Sequence, residues 1–130
     1  MTSTSAFHLQ VQVPSEQCIV NSILEYLTYR RIPHAHVRNT GNVYFRNGKV
    51  GFGRNKHTQH GVADVIGVYK GRALAIEVKR PGGRLSDFQR DWLFRWESDG
   101  GGMFAVVYSV DDVVKMLEKI DGRIHLDTQK

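Results

Sequence analysis

The sequence predicts an α/β domain ordered helix, three strands, helix, strand, helix, and three patterns carry that prediction. Apolar residues recur at helical spacing in three segments, 15–31, 87–96 and 111–120. Two apolar runs, Val62–Tyr69 and Ala73–Lys79, flank the dipeptide Lys70-Gly71, the pattern of a tight β-hairpin. A further apolar run, Met103–Tyr108, follows three glycines and reads as a buried strand.

The first helix takes Ser15 as its N-cap, and Ile19, Val20, Ile23, Leu24 and Leu27 form its apolar stripe. Glu16 falls on the same stripe. It is either a first-turn carboxylate favoured by the helix dipole or an acid aimed inward toward a site. Pro33 ends this helix, and His34–Arg38 gives a first strand, broken at Asn39-Thr40-Gly41. Residues 42–61 are rich in glycine and basic groups, with Asn47-Gly48 as a type I′ turn of a small exposed hairpin. Tyr44, Phe45 and Phe52 lie among Arg46, Lys49, Arg54 and Lys56, so the rings either stack bases or cover the edge of the core.

The hairpin around Lys70-Gly71 follows, with opposed residue numbers summing to 141, which sets Asp64 across from Glu77. The next helix is capped by Ser86 and presents Phe88, Trp92, Leu93 and Trp96 on its apolar face. Gln89 shares that face, and it also completes a Ser86-x-x-Gln89 capping box. The last helix, Asp111–Ile120, starts near Ser109. We therefore expect one domain over 14–122, with tails at 1–13 and 123–130.

With 130 residues, 41% hydrophobic and 24% charged, the chain is large enough for a single packed core. A single cysteine, Cys18, excludes an internal disulfide framework, fits a reducing compartment and reads as a structural thiol. No apolar run approaches a membrane span, and the N-terminus lacks a secretory signal pattern, so a cytoplasmic protein is expected. The net charge is +5 and unevenly spread: Arg30–Arg84 holds twelve Lys or Arg residues and only two acids, Asp64 and Glu77. A basic surface around a carboxylate pair suits a polyanionic substrate, although a basic face can also be merely solvated.

Asp64, Glu77 and Lys79 project from one face of an apolar strand pair, where three charges need a compensating reason. A divalent cation between the carboxylates is one, with the Val78 carbonyl as a third oxygen donor. Lys79 then lies where negative charge would develop on an attacked phosphate. The alternative is a Glu77–Lys79 ion pair on an exposed strand, which the apolar neighbours Val62, Ile66, Ala73 and Ala75 disfavour. His57 and His60 lack further ligands at metal-binding spacing and read as phosphate or solvent contacts. The glycines at 48–53 form no P-loop.

Gly61-Val62-Ala63-Asp64, the run Ala75-Ile76-Glu77-Val78-Lys79-Arg80-Pro81-Gly82-Gly83-Arg84-Leu85-Ser86, and Gln89 closely resemble the VRR-NUC (virus-type replication-repair nuclease) family of the PD-(D/E)xK nuclease superfamily. The similarity runs from about Ser15 through the final helix. It implies a restriction-endonuclease-like core, a mixed sheet flanked by helices, and Mg²⁺- or Mn²⁺-dependent phosphodiester cleavage. By position, Asp64 and Glu77 match the metal ligands, Lys79 the catalytic lysine, Gln89 the glutamine of the following helix and Glu16 the first-helix acid. Ala63 stands where the superfamily often has proline. Small stand-alone members look like homodimers that cut branched DNA, similar to Holliday-junction resolvases, which implies a phage or bacterial replication-repair setting. The candidate DNA contacts are Arg38, Arg46, Lys49, Arg54, Lys56, Arg80, Arg84 and Arg90. The alternatives are a nuclease of flaps, ends or single strands, and a basic DNA-binding module that does not cut.

Overall fold

The computed structural model describes residues 13–38, 42–53 and 59–128, with only the backbone described at 42–46, 50–53 and 127–128. Ser15 caps helix α1 (Glu16–Tyr29) by accepting the Cys18 N–H at 3.1 Å. Ile19, Val20, Ile23 and Leu27 are buried along one side of α1, and Leu24 packs against them. Each such side chain contributes about 1.5–3 kcal/mol on burial. Cys18 is exposed rather than structural, because it lies one position off that stripe. Glu16 is also exposed, at the first turn.

Strand β1 (His34–His36) is followed by β2 (Asn42–Arg46) and β3 (Lys49–Gly53), which pair with each other as a separate two-stranded sheet. Their turn has φ of +53° at Asn47 and +72° at Gly48, as a type I′ turn requires. Strands β4 (Val65–Tyr69) and β5 (Arg72–Val78) form the expected hairpin, with φ positive at both Lys70 and Gly71. The register runs Val65 to Ile76 and Tyr69 to Arg72, as the turn predicts.

Helix α2 (Asp87–Ser98) leads to β6 (Met103–Val107) and then to α3 (Val110–Thr128). The main sheet has the order β1-β4-β5-β6, antiparallel except for the parallel β5–β6 pair. The fold is thus the α/β arrangement anticipated, with three helices among the described residues, a mixed sheet and the β2–β3 hairpin inserted after the first strand.

Side chains alternate across β5. Leu74, Ile76 and Val78 join α1 and α3 in the larger core cluster, while Ala75 meets Trp92 and Leu93 of α2 on the other face. Among the described residues, no helix is long and apolar enough to cross a membrane.

Three details depart from the expectations. Phe88 is 64% exposed instead of sitting on the buried face of α2, because the first turn of that helix meets the domain through its backbone at Gly61. Among the described residues strand β6 is an edge strand, so Met103–Val106 are only partly buried and Val107 alone of the strand is fully so. Helix α3 runs eight residues past its expected end at Ile120, since Ile124 continues the stripe against the core.

Candidate active site

The site forms where β4 and β5 stop being an ordinary ladder. The Lys79 N–H donates to the Val107 carbonyl at 3.0 Å, on the β6 side. Main-chain groups alternate along a strand, so the Val78 N–H and carbonyl face β4. There the Asp64 carboxylate accepts the Val78 N–H through Oδ2 at 2.8 Å. Asp64 lies one residue before the ladder proper, and its own carbonyl accepts the Val37 N–H at 2.8 Å. Asp64 is therefore tied to both neighbouring strands, its carboxylate to the end of β5 and its carbonyl to the residue after β1.

Glu77 is 1% exposed and is the buried charged residue of the described core. Its Oε1 accepts the Gln89 Nε2–H at 3.0 Å and lies 3.7 Å from the Lys79 Nζ. Its Oε2 is buried with no hydrogen-bond partner. Burial first, and then the negative charge of Asp64, push the Glu77 carboxyl up to about 8, Lys79 pulls the other way, and a hydrogen bond to Asp64 and the charge of Glu16 add smaller pushes upward. A buried, unpartnered carboxyl oxygen beside a second carboxylate is a costly arrangement for the protein alone.

Gln89 performs both tasks that its position allowed. Its Oε1 accepts the Ser86 N–H at 2.9 Å while the Ser86 Oγ accepts the Gln89 N–H at 3.1 Å, closing the capping box. The amide nitrogen is thereby free to hold Glu77. The cap of α2 and the orientation of the acid are one construction.

The residues singled out in the sequence divide clearly. Asp64, Glu77, Val78, Lys79 and Gln89 converge. Glu16 reaches the cluster only through its charge. Arg80 and Arg84 are exposed on the loop between Lys79 and α2, and Arg38 is exposed one residue past the Val37–Asp64 bond. Lys49 is exposed on the β2–β3 hairpin, away from the main sheet in the pairing order. Arg90 is exposed and faces Asp87 at 3.7 Å. The Arg46 side chain, Arg54, Lys56 and His57 lie outside what is described, as do the side chains of Tyr44, Phe45 and Phe52.

Two supporting roles escaped the sequence reading. Gly61, with φ +78°, lets its backbone approach the Phe88 carbonyl and the Gln89 N–H. The Gln59 Oε1 accepts the Trp92 Nε1–H at 3.0 Å, tying the segment before Asp64 to α2. A glycine three residues ahead of the aspartate was the available signal for the first; nothing local marked the second.

Chemically, the donor set is two carboxylates and a strand carbonyl, all hard oxygens. Among the described residues, no cluster of three His, Cys, Asp or Glu forms a metal cage. Such a set fits a hard divalent cation that keeps part of its shell for water and substrate, and the orphaned Glu77 Oε2 is the specific vacancy in hydrogen bonding that a cation would fill.

No curated protein matches the chain. The family model of the VRR-NUC domain matches residues 19–111, which span most of α1 through the start of α3 and include Asp64, Glu77, Lys79 and Gln89, with Glu16 just before the matched region. A match over more than half of the sequence, on a fold and a carboxylate cluster that agree with it, means that the chain belongs to the VRR-NUC family and is a nuclease domain of the PD-(D/E)xK type.

Proposed function

We propose that the protein is a divalent-metal-dependent DNA endonuclease that acts as a homodimer on branched DNA such as four-way (Holliday) junctions. The observation that carries the metal dependence is the Glu77 Oε2, buried and unpartnered next to Asp64. Asp64, Glu77 and the Val78 carbonyl would hold Mg²⁺, with Mn²⁺ able to substitute. The ion supplies neutralisation of phosphate charge and acidification of water.

The chain's own groups do the rest. Asp64 is oriented by the Val78 N–H, and Glu77 by Gln89. Lys79, whose side chain is 12% exposed, places a positive charge at the rim, where an incoming phosphate gains negative charge as the water attacks. Arg80, Arg84 and Arg38 draw the polyanion toward that rim. Junction selectivity rests on the resemblance and on the need for two cuts, hence two centres, to resolve a junction. The same resemblance supports action in the cytoplasm of a bacterial or phage-infected cell.

End-labelled single-stranded, duplex, flap and four-way-junction DNA, incubated with Mg²⁺, Mn²⁺ or EDTA, tests the proposal. Paired symmetric cuts in the junction, abolished by EDTA and by Glu77→Ala, are expected. Cuts confined to flaps or ends would remove the junction assignment, and a folded protein that binds but cuts nothing would be a DNA-binding module. Lys79→Ala is expected to slow cleavage by about 10²–10³-fold, as loss of one charge-stabilising donor does, while DNA affinity stays within a few-fold. An equal loss of affinity and rate would make Lys79 a binding group instead.

A further inference from the structure

Strand β6 pairs with β5 on one side and, among the described residues, has no strand on the other. Because Val107 turns its main-chain groups toward β5, the alternation of the strand turns those of Phe104 and Val106 outward. Five residues without charge or proline form an edge of the kind that ordinarily invites another strand. Helix α3 overhangs it. Lys115, Lys119 and Arg123 recur every four residues, about 6 Å apart along one side of the helix. With Phe104, Val106 and Tyr108 they line an open groove of about 380 Å³.

The groove sets three cations against one carboxylate, Asp112, and keeps a net positive charge. Among the described residues, no carboxylate lies within ion-pair distance of Lys115, Lys119 or Arg123. Asp112, also at the groove, is occupied by the Tyr108 N–H at 2.8 Å. Asp121 is held elsewhere by Lys70 at 2.6 Å and by the Tyr69 hydroxyl at 2.9 Å. A second copy pairing edge to edge about a two-fold axis would set two basic rows side by side, where like charges oppose each other. A polyanion neutralises them. The row also has a direction: α3 begins beside Tyr108, near the Val107–Lys79 bond, and turns back along β6 away from the carboxylate cluster.

We propose that this groove holds a nucleic-acid strand, its phosphates on Lys115, Lys119 and Arg123, as the strand leads away from the carboxylate site. The assignment rests on the nuclease reading above and adds a second contact surface to it. Fluorescence anisotropy of labelled oligothymidylates of about 6, 12 and 20 nucleotides, in EDTA so that nothing is cut, tests it on the full chain. The variant is Lys115→Gln/Lys119→Gln/Arg123→Gln, all at exposed helical positions that glutamine suits.

Affinity for the longest strand should fall at least about tenfold at low salt, and the slope of log affinity against log salt should lose about 2, the single-strand value for three phosphates. Lys115→Arg/Lys119→Arg/Arg123→Lys should retain both. Unchanged affinity and slope in the glutamine variant would overturn the proposal. Loss by the glutamine variant of a dimer that the wild-type chain forms without DNA, read by sedimentation, would overturn it too, assigning the edge to a second copy. Mg²⁺-dependent cleavage by the wild-type chain is read separately. If the wild type cuts DNA while the variant binds like it, the groove falls alone; if the wild type neither cuts nor binds, both readings fall.

Discussion

Glu77→Gln is expected to raise the melting temperature of the metal-free protein at pH 8 while abolishing cleavage. The Glu77 carboxyl is pushed to about 8 by burial and by Asp64, against an ordinary value of 4.5. Between those two values the folded protein holds a proton that the unfolded chain has released. Stability from this group is therefore fully present at acidic pH and is lost as pH rises from about 4.5 through about 8.

Glutamine stays neutral throughout. Its oxygen can keep the Gln89 bond, and its amide nitrogen can donate to Asp64 as the protonated Glu77 carboxyl does. A rise of about 5–10 °C at pH 8, vanishing near pH 5, is the expected result in thermal unfolding with EDTA. Added Mg²⁺ should stabilise the wild type and not the variant, because ligand binding to the folded state raises its apparent stability. That stabilisation should weaken as pH falls, since the ion competes with the Glu77 proton. A melting difference independent of pH would contradict the raised carboxyl value. Residual cleavage by the variant near the wild-type rate would remove Glu77 from the metal site.

The sequence made this arrangement partly visible, and single residues show why. The Lys70-Gly71 turn determines the hairpin register, so the proximity of Asp64 and Glu77 followed from counting. The capping box of Ser86 and Gln89 was equally legible, being a four-residue pattern with a local cause. Its two readings, cap or site residue, did not compete, because the side-chain oxygen and nitrogen of Gln89 serve different partners.

Other features were settled by distant parts of the chain. The apolar run Met103–Val107 looks the same at an edge as in the centre of a sheet, and only the strand order of the described residues leaves it unpaired on one side. Phe88 has the spacing of a core residue, yet the first turn of α2 lies against Gly61 and turns the ring outward, where it meets His60 at a centroid separation of 5.1 Å. Asp64 was expected as a ladder residue across from Glu77. It instead leaves the ladder and bonds the Val78 N–H with its side chain, an exchange that no pattern of alternation encodes. Glu16 was legible as a first-turn acid, and its link to the site is an electrostatic one across the domain.

Gly61→Ala is expected to destabilise the protein by about 3 kcal/mol and to disable the site even where the fold survives. The residue has φ +78°, and a Cβ there would fall within contact of the Phe88 carbonyl and the Gln89 N–H, both backbone groups at the start of α2. Alanine in the left-handed region costs about 1–2 kcal/mol, and forcing apart two packed backbone segments adds about 1–3 kcal/mol. Gly71→Ala separates these contributions: φ is +79°, but nothing lies within 4 Å of the added carbon, so only the conformational cost remains. The melting temperature should therefore fall clearly further for Gly61→Ala than for Gly71→Ala.

The same displacement moves the chemistry. Gly61 precedes Asp64 by three residues on one side of the contact, and Gln89, which holds Glu77, lies on the other. Relief of the clash must shift one of the two carboxylates relative to its partner, and a misplacement near 1 Å can cost about 10²-fold in rate. Measured well below the melting point of both variants, cleavage by Gly61→Ala should fall by about that factor while Gly71→Ala cuts like the wild type. Equal melting temperatures for the two variants would show that the close approach at Gly61 does not constrain α2. Unequal ones with equal rates would show that α2 can move without taking Glu77 with it.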